Sequence, residues 1–585
     1  MISFIFNFLI CAIFLSKNNQ YKDNDESIYS LTAISLLISF AINGLLGLTF
    51  IFLKITYLPL FIFSASIFII MMCNLNLRKN FIFLKNICVK ESIQIFDLYK
   101  KSYFIKLVFL FLFLLLFVSF GPINHSDAAN AYVGYPYKFW VKNQHFIDGN
   151  LNQGLLGLGD FSNIFYFQDR TIWLIRFTEF LPLIPILFLI LRRKTNKIIV
   201  YTILSTPVFI QWMSLGKNNF FSDACVVIIF LVWEKHKDKR DLLFLISASL
   251  ISISFKVSSI LICFPIYLFI IYFYRYQISK INYKEFLEFL LSFPLLIAIL
   301  SLITIFSYRF YLYQNPFYPL LTSIFNPGDK QLSDWETLLK GWNRTTFYQL
   351  WIFIPKSIGK ISFVLGPANL ILFLFYFFVV IYEKRTKIRT NTIIGISQFI
   401  LLLLFAQGRA DYYVSPILLT YVGVERIHFP SKNDFVRKII SFALIMQLFM
   451  FLASSFYLIY TNLLVIKNYE NGMDKIAWNF YNSRVIAEKA VNPVLSEATG
   501  MTHLFFKEDF ISNNAFGRCF YYNEDDSIKN KYYYCVKKLG IKTIIVDKNK
   551  LINDKNFSCT SQELIRVSRN IFLTRKKEVD FCSLK

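Results

Sequence analysis

Asp127 stands in His125-Ser126-Asp127-Ala128, just past the apolar run Ile105–Phe120. A carboxylate at the edge of a bilayer is expensive, so its position there is a reason to expect chemistry. It could take a proton from an incoming hydroxyl or amine, or help to hold a cation. His125 and His145 are its near neighbours in sequence, and His125, Asp127 and His145 are the candidate ligands if a divalent metal is used. The competing reading is an N-cap, because Ser126-Asp127 precedes a helical stretch. That stretch carries Tyr132, Pro136, Lys138, Phe139 and Trp140 and is amphipathic, and Tyr132 and Lys138 are candidate substrate contacts.

A second set of residues is cationic. Lys217 lies in Gly216-Lys217-Asn218-Asn219, Lys256 interrupts a long apolar stretch, and Arg309 opens a long loop. Arg409 lies in Gly408-Arg409-Ala410-Asp411. One such charge is ordinarily a snorkelling side chain at the membrane interface. Several at the same ends of successive spans suit a phosphate or pyrophosphate, for which Arg offers a fork and Lys a point charge. Tyr318 sits in Tyr313-Gln314-Asn315-Pro316-Phe317-Tyr318-Pro319, where the prolines break any helix and the aromatic faces suit a carbohydrate or an interface. Asp148, Asp160, Asp169 and Asp223 read as structural acids.

These residues need a scaffold, and composition says which kind. The 585 residues are 56% hydrophobic and 17% charged, which excludes a soluble domain of this length. The net charge of +25 is laid out as short clusters between apolar runs: Arg78-Lys79, Lys100-Lys101, Arg192-Arg193-Lys194, Lys235 to Arg240, Lys384 to Arg389 and Arg437-Lys438. They fall in every second connection, the positive-inside pattern, and do not form a nucleic-acid footprint. Met1–Ser16 has no basic segment before its apolar run and no small-residue cleavage site, so it reads as a retained span.

The expected spans are 2–16, 29–50, 55–76, 104–120, 172–191, 198–214, 219–234, 242–256, 257–275, 286–307, 361–382, 391–407, 412–427 and 438–463. The expected fold is an all-α polytopic membrane bundle of about 13–14 transmembrane helices with a small C-terminal α/β domain. The bundle occupies 1–463, with outer loops 121–171 and 308–360, and 464–585 forms the extracytoplasmic domain. In that domain 502–506, 520–522 and 541–546 read as strands and 486–495 as helical. Cys519, Cys535, Cys559 and Cys582 form one or two disulfides there or remain buried thiols. No P-loop, dinucleotide-binding glycine pattern, zinc-protease motif or nucleophile elbow is present.

His125 to Tyr132, followed by Pro136, Lys138 and Phe139, resembles the first-loop pattern of GT-C membrane glycosyltransferases. Gly216-Lys217-Asn218-Asn219, Lys256, Asn315 to Pro319, Arg409 to Pro416 and the tail segment Leu539 to Val546 are similar to later landmarks of that superfamily. The tandem acidic pair common in the family is absent, and about three spans precede the loop where many members have one, so the subfamily is left unassigned.

The resemblance implies transfer of a sugar from a polyprenyl-phosphate donor to a glycolipid, envelope polysaccharide or protein acceptor. Asp127 would be the base, and His125, Tyr132, Lys138, Lys217, Lys256, Arg309, Tyr318 and Arg409 would contact substrate. No cofactor follows with certainty, although a divalent metal is possible. The expected place is a bacterial inner membrane, multi-pass, with the C-terminal domain outside and no nucleic-acid partner. The alternatives are a transporter or flippase of a lipid-linked saccharide, or a non-catalytic envelope protein.

Overall fold

Apolar runs of bilayer length become helices because only a helix satisfies its own backbone polar groups in hydrocarbon. The computed structural model describes residues 2–16, 26–55, 57, 59–99, 103–123, 128–145, 151–193, 196–216, 219–278, 283–327, 352–355, 358–382, 390–405, 410–422, 434–470, 473, 478–496, 510–512, 540–549, 551, 556–570 and 573–584.

The first helices are α1 (Ile2–Leu15), α2 (Ser27–Leu53), α3 (Leu60–Cys73), α4 (Leu75–Tyr99) and α5 (Tyr103–Ser119). The loop after α5 carries α6 (Gly134–Lys142), α7 (Leu158–Phe161) and α8 (Asn163–Gln168). Next come α9 (Leu183–Arg192), α10 (Lys197–Leu204), α11 (Val208–Leu215), α12 (Asn219–His236), α13 (Lys239–Phe255) and α14 (Ile260–Ile278). They are followed by α15 (Tyr283–Leu290), α16 (Phe293–Tyr313), α17 (Thr322–Phe325), α18 (Pro367–Tyr382) and α19 (Thr390–Phe405). The last are α20 (Val414–Val422), α21 (Asp434–Lys467) and α22 (Trp478–Lys489).

Among the described residues five helical segments are long and apolar enough to cross a membrane: Ser27–Leu53, Ile172–Arg192, Phe293–Tyr313, Ile361–Phe378 and Lys438–Lys467. The bent pair α3–α4 makes a sixth if it is counted as one span. Other expected spans are assembled from shorter pieces. The run 198–214 is α10 and α11, broken at Ser205–Pro207, where Pro207 has no N–H to continue the ladder. Even among the five, 172–191 opens as 3-10 turns over Ile172–Leu174 and Arg176–Phe180 before α9 begins behind Pro182. Lys256 is extended between α13 and a 3-10 turn at Val257–Ser259, which is the bend its lone charge predicts.

The centre of the bundle is α12. Every residue from Ala224 to Trp233 is buried, and the helix packs on α2, α9, α13 and α20. A helix apolar on all sides belongs in a core.

The two ends of the bundle differ in charge. At one end Glu26 meets Arg193 at 2.9 Å, together with Lys235, and His236 lies 3.7 Å away. Beside them Glu91 pairs with Arg192 and accepts from the Tyr29 hydroxyl at 2.9 Å. Arg240 donates to the carbonyl of Leu15. Three of the connections expected on one side of the membrane therefore meet at this basic end. Burial opposes ionisation of Glu26, but Arg193 and Lys235 outweigh it and hold the carboxyl below its ordinary range.

The opposite end gathers the loop after α5, the Lys256 bend and the end of α16. Phe52, at the end of α2, stacks on His145, whose carbonyl accepts from Tyr308 at 3.1 Å. The C-terminal region joins here too, for Phe480 of α22 packs with Trp173, Val465 and Met473.

Beyond α22 lie β1 (Val494–Ser496), β2 (Phe510–Ser512), β3 (Thr543–Asp547), β4 (Phe557–Asn570) and β5 (Leu573–Leu584). They form a five-stranded sheet in the order β2-β1-β3-β5-β4. β1 is parallel to β2 and β3, whereas β5 is antiparallel to β3 and β4. Alternation along β3 puts Ile545 against Ile486 of α22 and Val494, and puts Ile544 and Val546 on the other face with Leu495 and Phe557.

The strand expected at 541–546 is β3. The helix expected over 486–495 ends at Lys489, and Val494 and Leu495 belong to β1. Pro493 cannot continue a helix, and it disfavours the helical region for Asn492. Cys559 and Cys582 face each other across β4 and β5 and are disulfide-bonded. Cys519, Cys535 and the strands expected at 502–506 and 520–522 lie outside the described residues.

Candidate functional site

The loop between the 3-10 turn Leu151–Leu155 and α7 is the hub of the site. Gly154 lies against the rings of Tyr318 and Tyr313, so close that a Cβ there would stand 2.2 Å from the Tyr318 ring. Leu156 offers its carbonyl to Arg309 Nη2 at 3.0 Å. Gly157 is pressed on the backbone of Phe255, immediately before Lys256, where an added Cβ would lie 1.6 Å from the Phe255 oxygen. Asp160 accepts from the Gly157 N–H at 2.8 Å and ties the loop to the start of α7. That helix is seated on α2 at Gly44 and Gly47, whose missing side chains leave room for the backbone of Leu158 and Phe161. One short segment thus touches Tyr318, Arg309 and the backbone just before Lys256, three places far apart in the chain.

Arg309 is 2% exposed, and its Nε and Nη1 have no hydrogen-bond partner among the described residues. A buried guanidinium with two idle donors is costly unless an anion completes it. Lys256 is partly buried, with its ammonium over the Tyr412 ring at 4.1 Å. A neighbouring polar group, Asp223, accepts from Ser252 at 3.0 Å and Ser259 at 2.8 Å, so these hydroxyls clamp the acid across the α13–α14 break. Glu179 is fully buried and feels the charges of Asp160, Asp223 and Lys256.

Tyr318 is buried and stacked on Tyr313 at 3.8 Å, so it braces the hub from inside the protein. Lys138 is buried in α6, and Tyr132 offers its carbonyl to Asn163 at 3.1 Å. Burial, reinforced by Tyr313, pushes the Tyr135 phenol well above its usual range, so it stays a neutral group at working pH. His145 lies between Phe52 and Tyr311, whose hydroxyl is 3.3 Å from Nε2.

The exit of α5 is held by a residue that the sequence reading passed over. Arg176 is fully buried and donates to the carbonyls of Met213 at 3.1 Å, Pro122 at 2.8 Å and Val118, and to Asn462 Oδ1 at 3.4 Å. Asn462 Nδ2 donates to the carbonyl of Phe120 at 2.7 Å. Helix C-termini leave carbonyls unsatisfied, and a cation there also suits the helix dipole. Arg176 and Asn462 therefore cap the ends of α5 and α11 together. The chain leaves the first toward Asp127 and the second toward Lys217. Gly216 packs on the Arg176 stem, where a Cβ would lie 3.7 Å from its Cγ.

Asp127, His125, Lys217 and Arg409 lie outside the described residues. Among the described residues no three His, Cys, Asp or Glu side chains are grouped to hold a metal ion.

The fold and its apolar helices define a polytopic integral-membrane protein with a small C-terminal sheet. No protein-family model matches the chain, and no curated protein matches it. The crystal structure of ArnT from Cupriavidus metallidurans in the apo state aligns over 82% of this chain and 97% of its own, at 12% sequence identity and a TM-score of 0.42.

Proposed function

We propose that the chain is a membrane glycosyltransferase of the GT-C type. It would move a sugar from a polyprenyl-phosphate donor to a glycolipid, polysaccharide or protein acceptor at the outer face. The observation that carries this reading is the buried Arg309 guanidinium, near Asp160 but with two donors unbonded among the described residues, joined through Leu156 and Gly157 to the Lys256 bend. Two cations drawn into a protein interior beside a membrane fit a phosphate that arrives on a lipid. The first-loop pattern around Asp127 supplies the acid that a transferase needs and a binding protein does not.

In this reading Asp127 takes the proton of the acceptor hydroxyl, and the acceptor oxygen attacks the anomeric carbon. The bond from that carbon to the phosphate oxygen breaks, and its electron pair leaves with the lipid phosphate. Lys256 and Arg309, with Lys217 and Arg409, stabilise the charge on the leaving group. The Cys559–Cys582 pair supports an oxidising compartment for the C-terminal region, which fits an outer-face location. The chemistry would lie in the bundle 1–463, with 464–585 an extracytoplasmic domain.

The test is transfer by the purified full-length protein from a panel of polyprenyl-phosphate sugars to a host envelope extract, read by mass spectrometry. Asp127→Asn is expected to lower turnover by about 10²–10⁴-fold while donor retention is unchanged. Wild-type turnover by Asp127→Asn would remove Asp127 from the chemistry. Movement of donor across vesicles without transfer would make the chain a transporter.

A further inference from the structure

We propose that α4 lies in the plane of the membrane at the basic end of the bundle and binds the headgroups of anionic phospholipids. The helix pair α3–α4 bends by 100°. The bend is built by Asn74, which is extended and caps α4 by accepting from the N–H groups of Asn76 at 3.0 Å and Leu77 at 3.3 Å. On α3, Ile62, Phe63, Ile69 and Ile70 are exposed, as befits a helix standing in hydrocarbon. A turn of 100° from that direction lays α4 along the interface.

The two sides of α4 have different partners. One side faces the protein. It carries Leu84 and Glu91, both buried, and Glu91 is tied to Arg192 and Tyr29. Asn80 on the same helix donates to the carbonyl of Ile13 at 3.4 Å. The helix is thereby anchored where the other basic connections meet. The other side is exposed. Ile82, Val89, Ile93 and Phe96 are exposed there, spaced by seven, four and three residues, so they form one stripe. Arg78 and Lys85 border the stripe on one flank and Lys79 and Lys90 on the other, all four exposed.

An apolar stripe between two rows of cations is the layout of an interfacial helix, with the stripe in the acyl boundary and the cations among headgroups. A protein partner of ordinary surface composition would meet four apolar and four basic side chains there, with Asp97 the one acid on the same flank, so the face keeps a net positive charge. The anionic leaflet satisfies both kinds at once. Each cation near such a surface contributes about 1 kcal/mol, roughly fivefold in lipid association.

The experiment uses the full-length protein in nanodiscs of phosphatidylcholine and phosphatidylglycerol, with lipids retained after gentle detergent extraction counted by native mass spectrometry. The wild type is expected to retain phosphatidylglycerol over phosphatidylcholine by at least about fivefold, falling at high salt. The variant Arg78→Gln, Lys79→Gln, Lys85→Gln, Lys90→Gln is expected to lose that preference. A control of equal charge change at the other end, Lys467→Gln, Lys489→Gln, Lys542→Gln, Lys548→Gln, is expected to keep it. Exchange of Arg78 for Lys also keeps it. An undiminished preference in the α4 variant overturns the proposal, as does equal retention of both lipids by the wild type. Cross-linking of Val89→Cys to another protein, with lipid retention unchanged by the α4 substitutions, assigns the face to a protein instead.

Discussion

Replacing Arg176 by Met should destabilise the protein by about 3 kcal/mol. The substitution leaves the buried carbonyls of Val118, Pro122 and Met213 without their donor. Each buried acceptor left unsatisfied costs about 1–3 kcal/mol, roughly 3–9 kcal/mol for the three. Against this stands the desolvation of a buried guanidinium, several kcal/mol, which the variant no longer carries. The difference is about 3 kcal/mol, which for a chain of this size lowers the thermal midpoint by roughly 2–3 °C. Arg176→Lys keeps the charge but has no planar fork to reach carbonyls on two helices, so it should recover about half of the loss. The assay is the thermal midpoint of monodisperse protein in detergent, scanned at one fixed rate because such unfolding is irreversible. Hydrogen exchange at 118–123 and 213–216 should rise in the Met variant while exchange in α19 and α20 stays unchanged. A Met variant that melts within about 1 °C of the wild type would refute the reasoning, because the carbonyls would then have found other donors.

Gly157→Ala places a methyl 1.6 Å from the Phe255 carbonyl oxygen, a backbone atom that cannot swing aside, so a loss of about 3 kcal/mol and displacement of the Lys256 bend are expected. Thermal midpoint and donor retention read the two effects, and a stable variant with intact retention would remove the hub from the site. Glu26 has a folded pKa below its unfolded value, so its stabilisation is complete above the ordinary carboxylate range and is lost as pH falls through the folded pKa. Melting midpoints of the wild type should therefore fall below about pH 4, with Glu26→Gln losing that part of the acid dependence. At neutral pH, Glu26→Gln also leaves buried Arg193 without its counter-ion, a loss of about 3–5 kcal/mol, and an unchanged midpoint would count against the cluster. Reduction of Cys559–Cys582 should make the β4–β5 hairpin more sensitive to protease while the bundle melts as before, checked by limited proteolysis and mass mapping.

The residues that carried over from sequence to structure are those whose signal is local. Lys256 announced a bend because a lone ammonium inside an apolar stretch is costly to hold within a continuous span, and the chain does turn extended there. The strand at β3 was legible from its run of branched apolar residues. The helix expected through 486–495 shows the opposite case, where an apolar periodicity was followed past Asn492-Pro493 into a strand whose partners, β2 and β3, lie elsewhere in the chain. Glu26 carries no signal in the sequence, because its partner Arg193 is 167 residues away. Arg176 lies inside the expected span 172–191, and nothing near it in sequence marks the three carbonyls it holds.

Hydrophobic length and charge placement alone determined that this is a polytopic membrane protein, roughly where it crosses, and which connections share an end. Those properties are set by transfer of local segments between water and hydrocarbon, which each segment carries by itself. Tertiary structure alone decided that Arg309, Tyr318 and the Phe255 backbone before Lys256 pack on Gly154–Asp160, that Arg176 joins the ends of α5 and α11, and that α4 turns its apolar stripe away from the bundle. Those facts rest on packing and hydrogen bonds between segments distant in the chain, and no local pattern records such partners.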